Sequence, residues 1–317
     1  MWFKCCDYLL NEIVFAQKNL MACCCSPSHN YSSVFIKNLN GENFDTDLYF
    51  EQRSKYIAML KKGIVPENCI GCYRLKEKDW DETLNIMRII ITNRTKCSCD
   101  CVYCSLVKFG GQTKKELNSS ETYNIIPFLK DLHKKNLIKP ETLITVGGGE
   151  CSEYPAGELE FIVYLVFVCN CRLELLSSGL FYSKGIAQAL KSPKTMLKIS
   201  ADSGCKSTFE KIKRVKMYDS FWRNVKAYIE ASYENSQVKL KYIIIPDVND
   251  NIDEVNAFIN KCKQVKCKCA ELSVEYEWFN ANKDKPLPTN IKQIYQCLKS
   301  SGLILSFESY EVENWME

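Results

Sequence analysis

Histidine is scarce in this sequence, with only His29 and His133 among 317 residues. Two histidines cannot supply the ligand pairs of repeated Cys/His zinc fingers, and they leave little material for a histidine-based catalytic triad. An excess of one charge is also lacking, because 42 Lys and Arg oppose 38 Asp and Glu for a net charge of +4. So small an excess gives no reason to expect a nucleic-acid partner.

Long apolar runs are missing as well. The longest, residues 161–169, has nine residues, which is less than half of the roughly 20 that a membrane-spanning helix needs. The amino-terminal segment carries Asp7 and no extended apolar core, so it does not have the pattern of a secretory signal. We therefore expect a cytoplasmic protein with no membrane partner.

Cysteine, by contrast, is abundant, with 19 residues. A reducing cytosol keeps structural disulfides rare, so a cysteine-dense chain there more often binds metal or carries out redox chemistry. The glycines at 147–149 do not form a dinucleotide-binding fingerprint, because Ser152 stands where the last glycine is required, and the Gly-Lys-Ser/Thr of a P-loop is absent.

The chain from about residue 86 onward alternates short β-rich runs with helical patterns, which predicts an α/β fold with a parallel sheet, either doubly wound or a full or partial barrel. The first 85 residues are predicted to form a separate cysteine-rich helical extension, residues 86–282 the core, and residues 283–317 a helix and strand packed on it. The predicted strands are 87–92, 143–146, 172–176, 196–201, 239–245 and 271–275, and the predicted helices are 121–135, 157–169, 183–191, 206–213, 219–234, 251–264 and 290–302.

A cysteine-rich loop follows the first of these core strands. Cys97, Cys101 and Cys104 are spaced Cys-x3-Cys-x2-Cys. Three thiolates on one loop can hold three irons of a [4Fe–4S] cube and leave the fourth iron without a protein ligand. An open coordination position suits chemistry, whereas a closed four-cysteine site mainly stores or passes electrons. In a barrel, a loop after a strand lies at the carboxyl-terminal face, where active sites gather.

With Tyr103 as the aromatic residue, the spacing Cys-x3-Cys-x-aromatic-Cys resembles the signature of the radical SAM superfamily. The next core strand leads into Gly147-Gly-Gly-Glu150, which is similar to that family's GGE motif. Further similarity lies at 199–204, 211–214 and 242–250, so the resemblance covers about residues 87–280. It implies a partial (β/α)6 TIM-like barrel.

The resemblance also implies cofactors and a reaction. S-adenosylmethionine (SAM) would chelate the unique iron of the [4Fe–4S] cluster. One electron from a reduced flavodoxin- or ferredoxin-type donor would then cleave SAM to give a 5′-deoxyadenosyl radical, which abstracts hydrogen from the substrate. The substrate itself stays open between a peptide or protein and a small metabolite.

By the same resemblance, a group of residues would bind SAM. Glu150 would accept hydrogen bonds from the methionyl ammonium, and the preceding glycines would let the backbone approach closely. Cys151 replaces the family's usual proline, and Ser177-Ser178-Gly179 replaces a more familiar Thr-Asn-Gly. The implied SAM-binding residues are Gly148, Gly149 and Glu150, with Ser200 and Asp202 near the ribose, Arg214 near the carboxylate and the backbone around Tyr103 facing the adenine.

A second group of cysteines lies near the amino terminus. Cys69-x2-Cys72, preceded by Gly63 and Pro66, resembles the cysteine pattern of SPASM-type auxiliary cluster domains. These two residues, with Cys25 or one of its neighbours Cys23 and Cys24, would ligate a second iron–sulfur cluster, and Cys5 or Cys6 would be the fourth ligand. A zinc knuckle built from the same thiolates is an equal alternative.

Zinc is also the main alternative at the loop after the first core strand. Cys99 adds a fourth thiolate there, and four thiolates suit tetrahedral zinc. Zinc, however, does not explain the glycines and Glu150 at the end of the next strand. The rival function is therefore a zinc- or iron–sulfur-binding interaction module that is not an enzyme.

Overall fold

A computed structural model describes residues 3–23, 34–36, 46–72, 74–78, 85–108, 112–119 and 122–317. The chain divides into two compact units. The first unit comprises Met1–Thr95, Ser119–Gly149 and Tyr154–Leu173, and the second comprises Lys96–Asn118, Glu150–Glu153 and Glu174–Glu317. The domain boundaries expected after residues 85 and 282 stay a prediction.

The described residues form strands and helices that alternate along most of the chain. The strands are β1 (Phe3–Cys5), β2 (Glu12–Phe15), β3 (Leu20–Met21), β4 (Val34–Ile36), β5 (Lys76–Lys78), β6 (Ile86–Ile91), β7 (Ile138–Val146), β8 (Arg172–Ser177), β9 (Thr195–Ser200), β10 (Val238–Ile244), β11 (Cys269–Val274) and β12 (Ile304–Phe307). The helices are α1 (Asp7–Asn11), α2 (Thr46–Lys61), α3 (Ser105–Lys108), α4 (Lys114–Ser119), α5 (Ile126–Lys134), α6 (Ala156–Cys169), α7 (Lys184–Ala189), α8 (Lys206–Lys213), α9 (Tyr218–Ala231), α10 (Ile252–Gln264), α11 (Tyr276–Asn282), α12 (Thr289–Ser300) and α13 (Tyr310–Met316).

The sheet of the first unit has the order β7-β6-β2-β3-β4. Strand β6 runs parallel to both β7 and β2, with Ile89 opposite Ile13 on one side and Ile144 on the other. The sequence did not indicate β2, because four residues, Glu-Ile-Val-Phe, are too few to show a period. All four are buried, so packing against β6 rather than local pattern determines this strand.

The second unit holds parallel pairs from β9 to β12, since β10 pairs with β9 and β11, and β12 pairs with β11. Helices α8 to α12 connect these strands. The predicted α/β class is confirmed, and each of the six predicted core strands has a counterpart among β6 to β11. Strand β11 is buried along its whole length, as expected for a parallel strand covered on both faces.

Helix ends in the second unit bring polar groups to the carboxyl ends of its strands. The Asn251 side chain accepts a hydrogen bond from the Glu254 backbone N–H at 3.1 Å, so the predicted start of α10 is confirmed. Helix α8 ends at Lys213, and Arg214 follows as its C-cap with a left-handed φ of +54°. Among the described residues, no helix is both long enough and apolar enough to cross a membrane.

Candidate functional site

The loop of residues 97–104, here called the cysteine loop, is fastened to the end of α8 by its backbone. The Asp100 N–H donates to the Lys213 carbonyl at 3.2 Å, and the Val102 N–H donates to the Ile212 carbonyl at 3.0 Å. These two hydrogen bonds lie on either side of Cys101. The middle of the predicted cluster-binding loop therefore has a defined path.

The thiols of the cysteine loop contact one another through Cys99. Cys99 is 2% exposed, its N–H donates to the Cys97 sulfur at 3.4 Å, and its thiol hydrogen-bonds with the thiols of Cys97 and Cys101. The hydrogen bond with Cys99 has the largest effect on the Cys101 pKa. Together with the nearby Lys213 ammonium, it outweighs the effect of burial and lowers that pKa to about 6. The same contact lowers the Cys97 pKa. Both residues thus favour the thiolate form that binds metal.

Cys104 ends the cysteine loop at the start of α3. Its carbonyl accepts from the Val107 N–H at 3.1 Å and the Lys108 N–H at 2.9 Å. Across the described residues, no group of three or more Cys, His, Asp or Glu side chains is already arranged around a single metal position. Ligation by Cys97, Cys101 and Cys104 accordingly stays a prediction.

The glycines that follow β7 lie against the backbone after β6. Gly148 has a φ of +94°, and a side-chain carbon at this position would lie 2.7 Å from the Arg94 carbonyl oxygen. The Gly149 N–H donates to the same oxygen at 2.7 Å. Glycine is required at 148 for both conformation and space.

Glu150 is buried between the residue that precedes the cysteine loop and the end of β8. Its N–H donates to the Lys96 carbonyl at 2.8 Å. Its carboxylate accepts from the Ser177 hydroxyl at 2.7 Å and from the backbone N–H groups of Ser152 and Ser178. The two serines that depart from the family's pattern thus supply partners for Glu150, so the departure preserves a polar environment for it.

Asp202 follows β9 and lies in a polar cluster with Lys213, which is also fully buried, and Tyr103, which is half-buried. The Tyr103 hydroxyl donates to Asp202 Oδ2 at 2.6 Å, and the Lys213 ammonium donates both to that oxygen and to the Tyr103 hydroxyl. Lys213 and Asp202 are 1% and 0% exposed. We did not single out Lys213 from the sequence, although it follows Phe209 and Ile212 at the i+4 and i+1 positions of one buried helix face.

The other two implied SAM-binding residues lie near this cluster. Ser200, at the end of β9, is half-buried and pairs in register with Lys241 of β10. Arg214 is 57% exposed and forms an ion pair with Asp100 at 3.2 Å. Of the adjacent basic residues 213 and 214, the structure therefore buries the lysine and leaves the predicted arginine at the surface. Contact of Arg214 with a SAM carboxylate stays a prediction.

A cavity of about 350 Å³ lies beside the cysteine loop in the second unit. Its floor is apolar, because Ile212 and Ile245 pack there with Val102 and Tyr103. At its edge Lys108 forms ion pairs with Glu275 at 2.7 Å and with Glu277 at 2.8 Å. Other lining residues are Lys211, Pro246, Asp247, Val248 and Trp278.

Solved structures share this architecture. SuiB from Streptococcus suis in complex with the precursor peptide SuiA has a TM-score of 0.51 and 11% identity, over 82% of this chain and 62% of that one. SuiB with S-adenosylmethionine bound has a TM-score of 0.50 and 12% identity, over 84% of this chain and 57% of that one. The fold is that of radical SAM enzymes. The predicted partial barrel is thereby confirmed.

The likeness to these solved structures lies in the fold and not in the overall sequence. The sequence matches no protein-family model, and it matches no curated protein. The chain spans about three fifths of the length of the SuiB structures.

Outside the radical SAM motifs, cysteines of the amino-terminal region come together in the first unit. Cys6 is buried with Leu9, Ala22 and Leu60. Cys69 and Cys72 share a turn, in which the Cys72 N–H donates to the Cys69 carbonyl at 3.1 Å. Burial, followed by the proximity of Cys23, Cys6 and Cys72, raises the Cys69 pKa to about 12. The predicted ligand Cys25 lies outside the described residues.

Proposed function

We propose that this protein is a radical SAM enzyme that cleaves SAM reductively at a [4Fe–4S] cluster held by Cys97, Cys101 and Cys104. The observation that carries the proposal is the junction between the cysteine loop and the segment that begins at Glu150. The Glu150 N–H bonds to the residue before Cys97, and the Ser98 N–H donates to Glu153 Oε1 at 2.8 Å. A three-thiol loop and an acidic side chain are thereby held side by side.

The residues present fit these cofactors. Cysteine thiolates are the preferred ligands of iron–sulfur clusters, and the lowered pKa values of Cys97 and Cys101 favour the form that coordinates. A cluster held by Cys97, Cys101 and Cys104 would supply the single electron that reductive cleavage of SAM requires. The protein's part is to orient SAM, with Glu150 held by Ser177 and Ser178 to accept from the methionyl ammonium.

The cavity beside the cysteine loop offers a place for the adenosyl group. Its apolar floor around Ile245 suits a planar base, and Val102 and Tyr103 also line it. Ser200 and Asp202 would lie towards the ribose. Asp202 already binds Lys213 and Tyr103, so it would present a preorganised rather than a mobile carboxylate.

The experiment is reductive cleavage by anaerobically reconstituted protein. Wild type with SAM and dithionite should release 5′-deoxyadenosine, and Cys101→Ala should release none. Cys297→Ala in α12 is the matched control, because it removes a thiol far along the sequence from the cysteine loop, and it should behave as wild type. Absence of 5′-deoxyadenosine from wild-type protein with a full complement of iron and sulfide would refute the proposal.

A closed four-thiol site, such as structural zinc in an interaction module, is the second candidate. The contacts of Cys99 with both Cys97 and Cys101 favour it. Cys99→Ala separates the two functions. An open cluster needs only three thiolates, so iron content and SAM cleavage should persist in the variant, whereas a four-thiol site should lose its metal.

One of the structural neighbours was solved with a precursor peptide, and we therefore propose a peptide or protein substrate rather than a small metabolite.

We also propose a second metal site, iron–sulfur or zinc, at Cys69 and Cys72 with Cys6 and Cys23 or the predicted Cys25. A low-potential flavodoxin- or ferredoxin-type donor in the cytoplasm would supply the electron.

A further inference from the structure

Lys213 carries a charge that is fully removed from solvent. Its side chain is 1% exposed, and the ammonium donates to Asp202 Oδ2 and to the Tyr103 hydroxyl, the latter at 2.7 Å. The ammonium also lies 5.2 Å from the centre of the Tyr103 ring. A lysine at the end of a helix ordinarily extends its ammonium into water, so this inward placement requires a reason.

Stability alone is a poor reason. Transferring two charges from water to a protein interior is costly, and a buried ion pair is often no more stable than apolar side chains of similar size. Ile212, Ile243 and Ile245 form an apolar cluster next to the pair, and the Ile243 N–H donates to Asp202 Oδ1 at 3.3 Å. This hydrogen bond gives Asp202 a local structural role, but it does not require a charged partner at position 213.

The position of Lys213 relative to Cys101 gives a better reason. The Lys213 carbonyl accepts from Asp100 and the Ile212 carbonyl from Val102, so the residues on both sides of Cys101 are attached to the end of α8. The Lys213 ammonium also donates to the hydroxyl of Tyr103, two residues after Cys101, and the Asp202 carboxylate accepts from both of these groups.

We propose that Lys213 is a positioning residue that orients Tyr103 in the cysteine loop and, opposed by Asp202, tunes the reduction potential of the cluster that Cys101 ligates. The inference rests on the proposed function, since it requires that cluster. Reduction adds negative charge, which a nearby buried ammonium stabilises and a nearby carboxylate destabilises. Loss of Lys213 should therefore lower the potential, and loss of Asp202 should raise it.

The test is a redox titration of the reconstituted full chain without SAM, monitored by electron paramagnetic resonance. Lys213→Met should shift the potential to more negative values and Asp202→Asn to more positive values. At a fixed solution potential, each change should alter the reduced-to-oxidised ratio roughly tenfold, which for a one-electron couple is about 59 mV. Lys213→Arg keeps the charge and should stay near wild type, and the double variant should lie between the single variants.

The outcomes separate this inference from the proposed function. Wild type without a reducible cluster would refute the proposed function. Loaded variants whose potentials do not move, or move in the same direction, would refute the role of Lys213 while the proposed function stands. If Lys213→Met fails to load a cluster, the reduction potential of Asp202→Asn is compared with that of the double variant. The difference measures the effect of the Lys213 ammonium alone. A more negative potential in the double variant supports the proposal, and equal potentials overturn it.

Discussion

The backbone N–H of Glu150 donates a hydrogen bond to the carbonyl of Lys96 over 2.8 Å. The acidic residue that follows β7 is thus joined to the residue immediately before Cys97. Its carboxylate lies 1% exposed among hydrogen-bond donors from Ser152, Ser177 and Ser178. A buried carboxylate held in this way keeps a fixed orientation beside the cysteine loop, as recognition of a ligand ammonium requires.

Glu150→Gln should impair the use of SAM without removing the cluster. The amide keeps the size of the side chain but loses the charge, and a hydrogen bond to a charged group contributes about 1.5–3 kcal/mol. We expect SAM affinity and 5′-deoxyadenosine formation to fall about tenfold or more, measured by equilibrium binding and product chromatography. Iron and sulfide content should be unchanged, and loss of the cluster in this variant would show that Glu150 is structural.

Gly148→Ala should destabilise the fold. The positive φ of +94° and the approach to 2.7 Å of the Arg94 oxygen both exclude a side chain, at a cost of about 2 kcal/mol or more. Gly157→Ala is the matched control, because an added carbon there meets nothing within 4 Å. In α6 that change should be neutral or stabilising by up to about 1 kcal/mol. Urea unfolding of both variants measures the difference, and equal stabilities would contradict the prediction.

The sequence predicts the six core strands and the main core helices, because each carries a local signal, although β7 begins about five residues before its predicted start and α5 about five residues after. The six strands lie in short β-rich runs, and the helix predicted over residues 251–264 has its N-cap at Asn251. Strand β2 and the two-residue strand β3 were not predictable in this way. They are too short to show a period, and their pairing with partners such as β6 is decided by contacts distant in sequence.

At the candidate site, spacing identified the residues that share one loop but not those that meet through the fold. Cys97, Cys101 and Cys104 stand out by spacing alone. The partners of Tyr103, in contrast, come from residues 202 and 213, about a hundred positions away. Of the two adjacent basic residues, only Lys213 falls four residues after Phe209 on the buried face of α8, whereas Arg214 lies at the exposed end of the helix.

Stability should depend on pH through Glu275 at the edge of the cavity. Burial acts to raise the pKa of Glu275, but its hydrogen bonds to the Lys108 ammonium and the Trp278 N–H prevail, and the pKa lies below the ordinary 4.5. A depressed folded-state pKa stabilises the fold above the unfolded value, and this contribution is lost as pH falls through the lowered pKa.

Lys108→Met should therefore lower the free energy of unfolding by about 1 kcal/mol at pH 7. This difference between wild type and variant should narrow towards pH 3. Urea unfolding of wild type and variant at several pH values gives the comparison. Lys206→Met is the control, because its ion pair with Asp219 is exposed on both sides. A deficit for Lys108→Met that is independent of pH would show that the lysine contributes packing rather than charge.

The amino-terminal cysteines should add metal to the chain beyond that of the cysteine loop. Burial, followed by the proximity of Cys23, Cys6 and Cys72, raises the pKa of the Cys69 thiol to about 12, and a metal ion bound there would favour the thiolate form. Removing Cys69 and Cys72 together should lower the metal content by one complete site. SAM cleavage at the cysteine loop should be unchanged. Elemental analysis for iron, zinc and sulfide identifies which metal is lost. Equal metal content in wild type and the double Cys→Ala variant would exclude a second site.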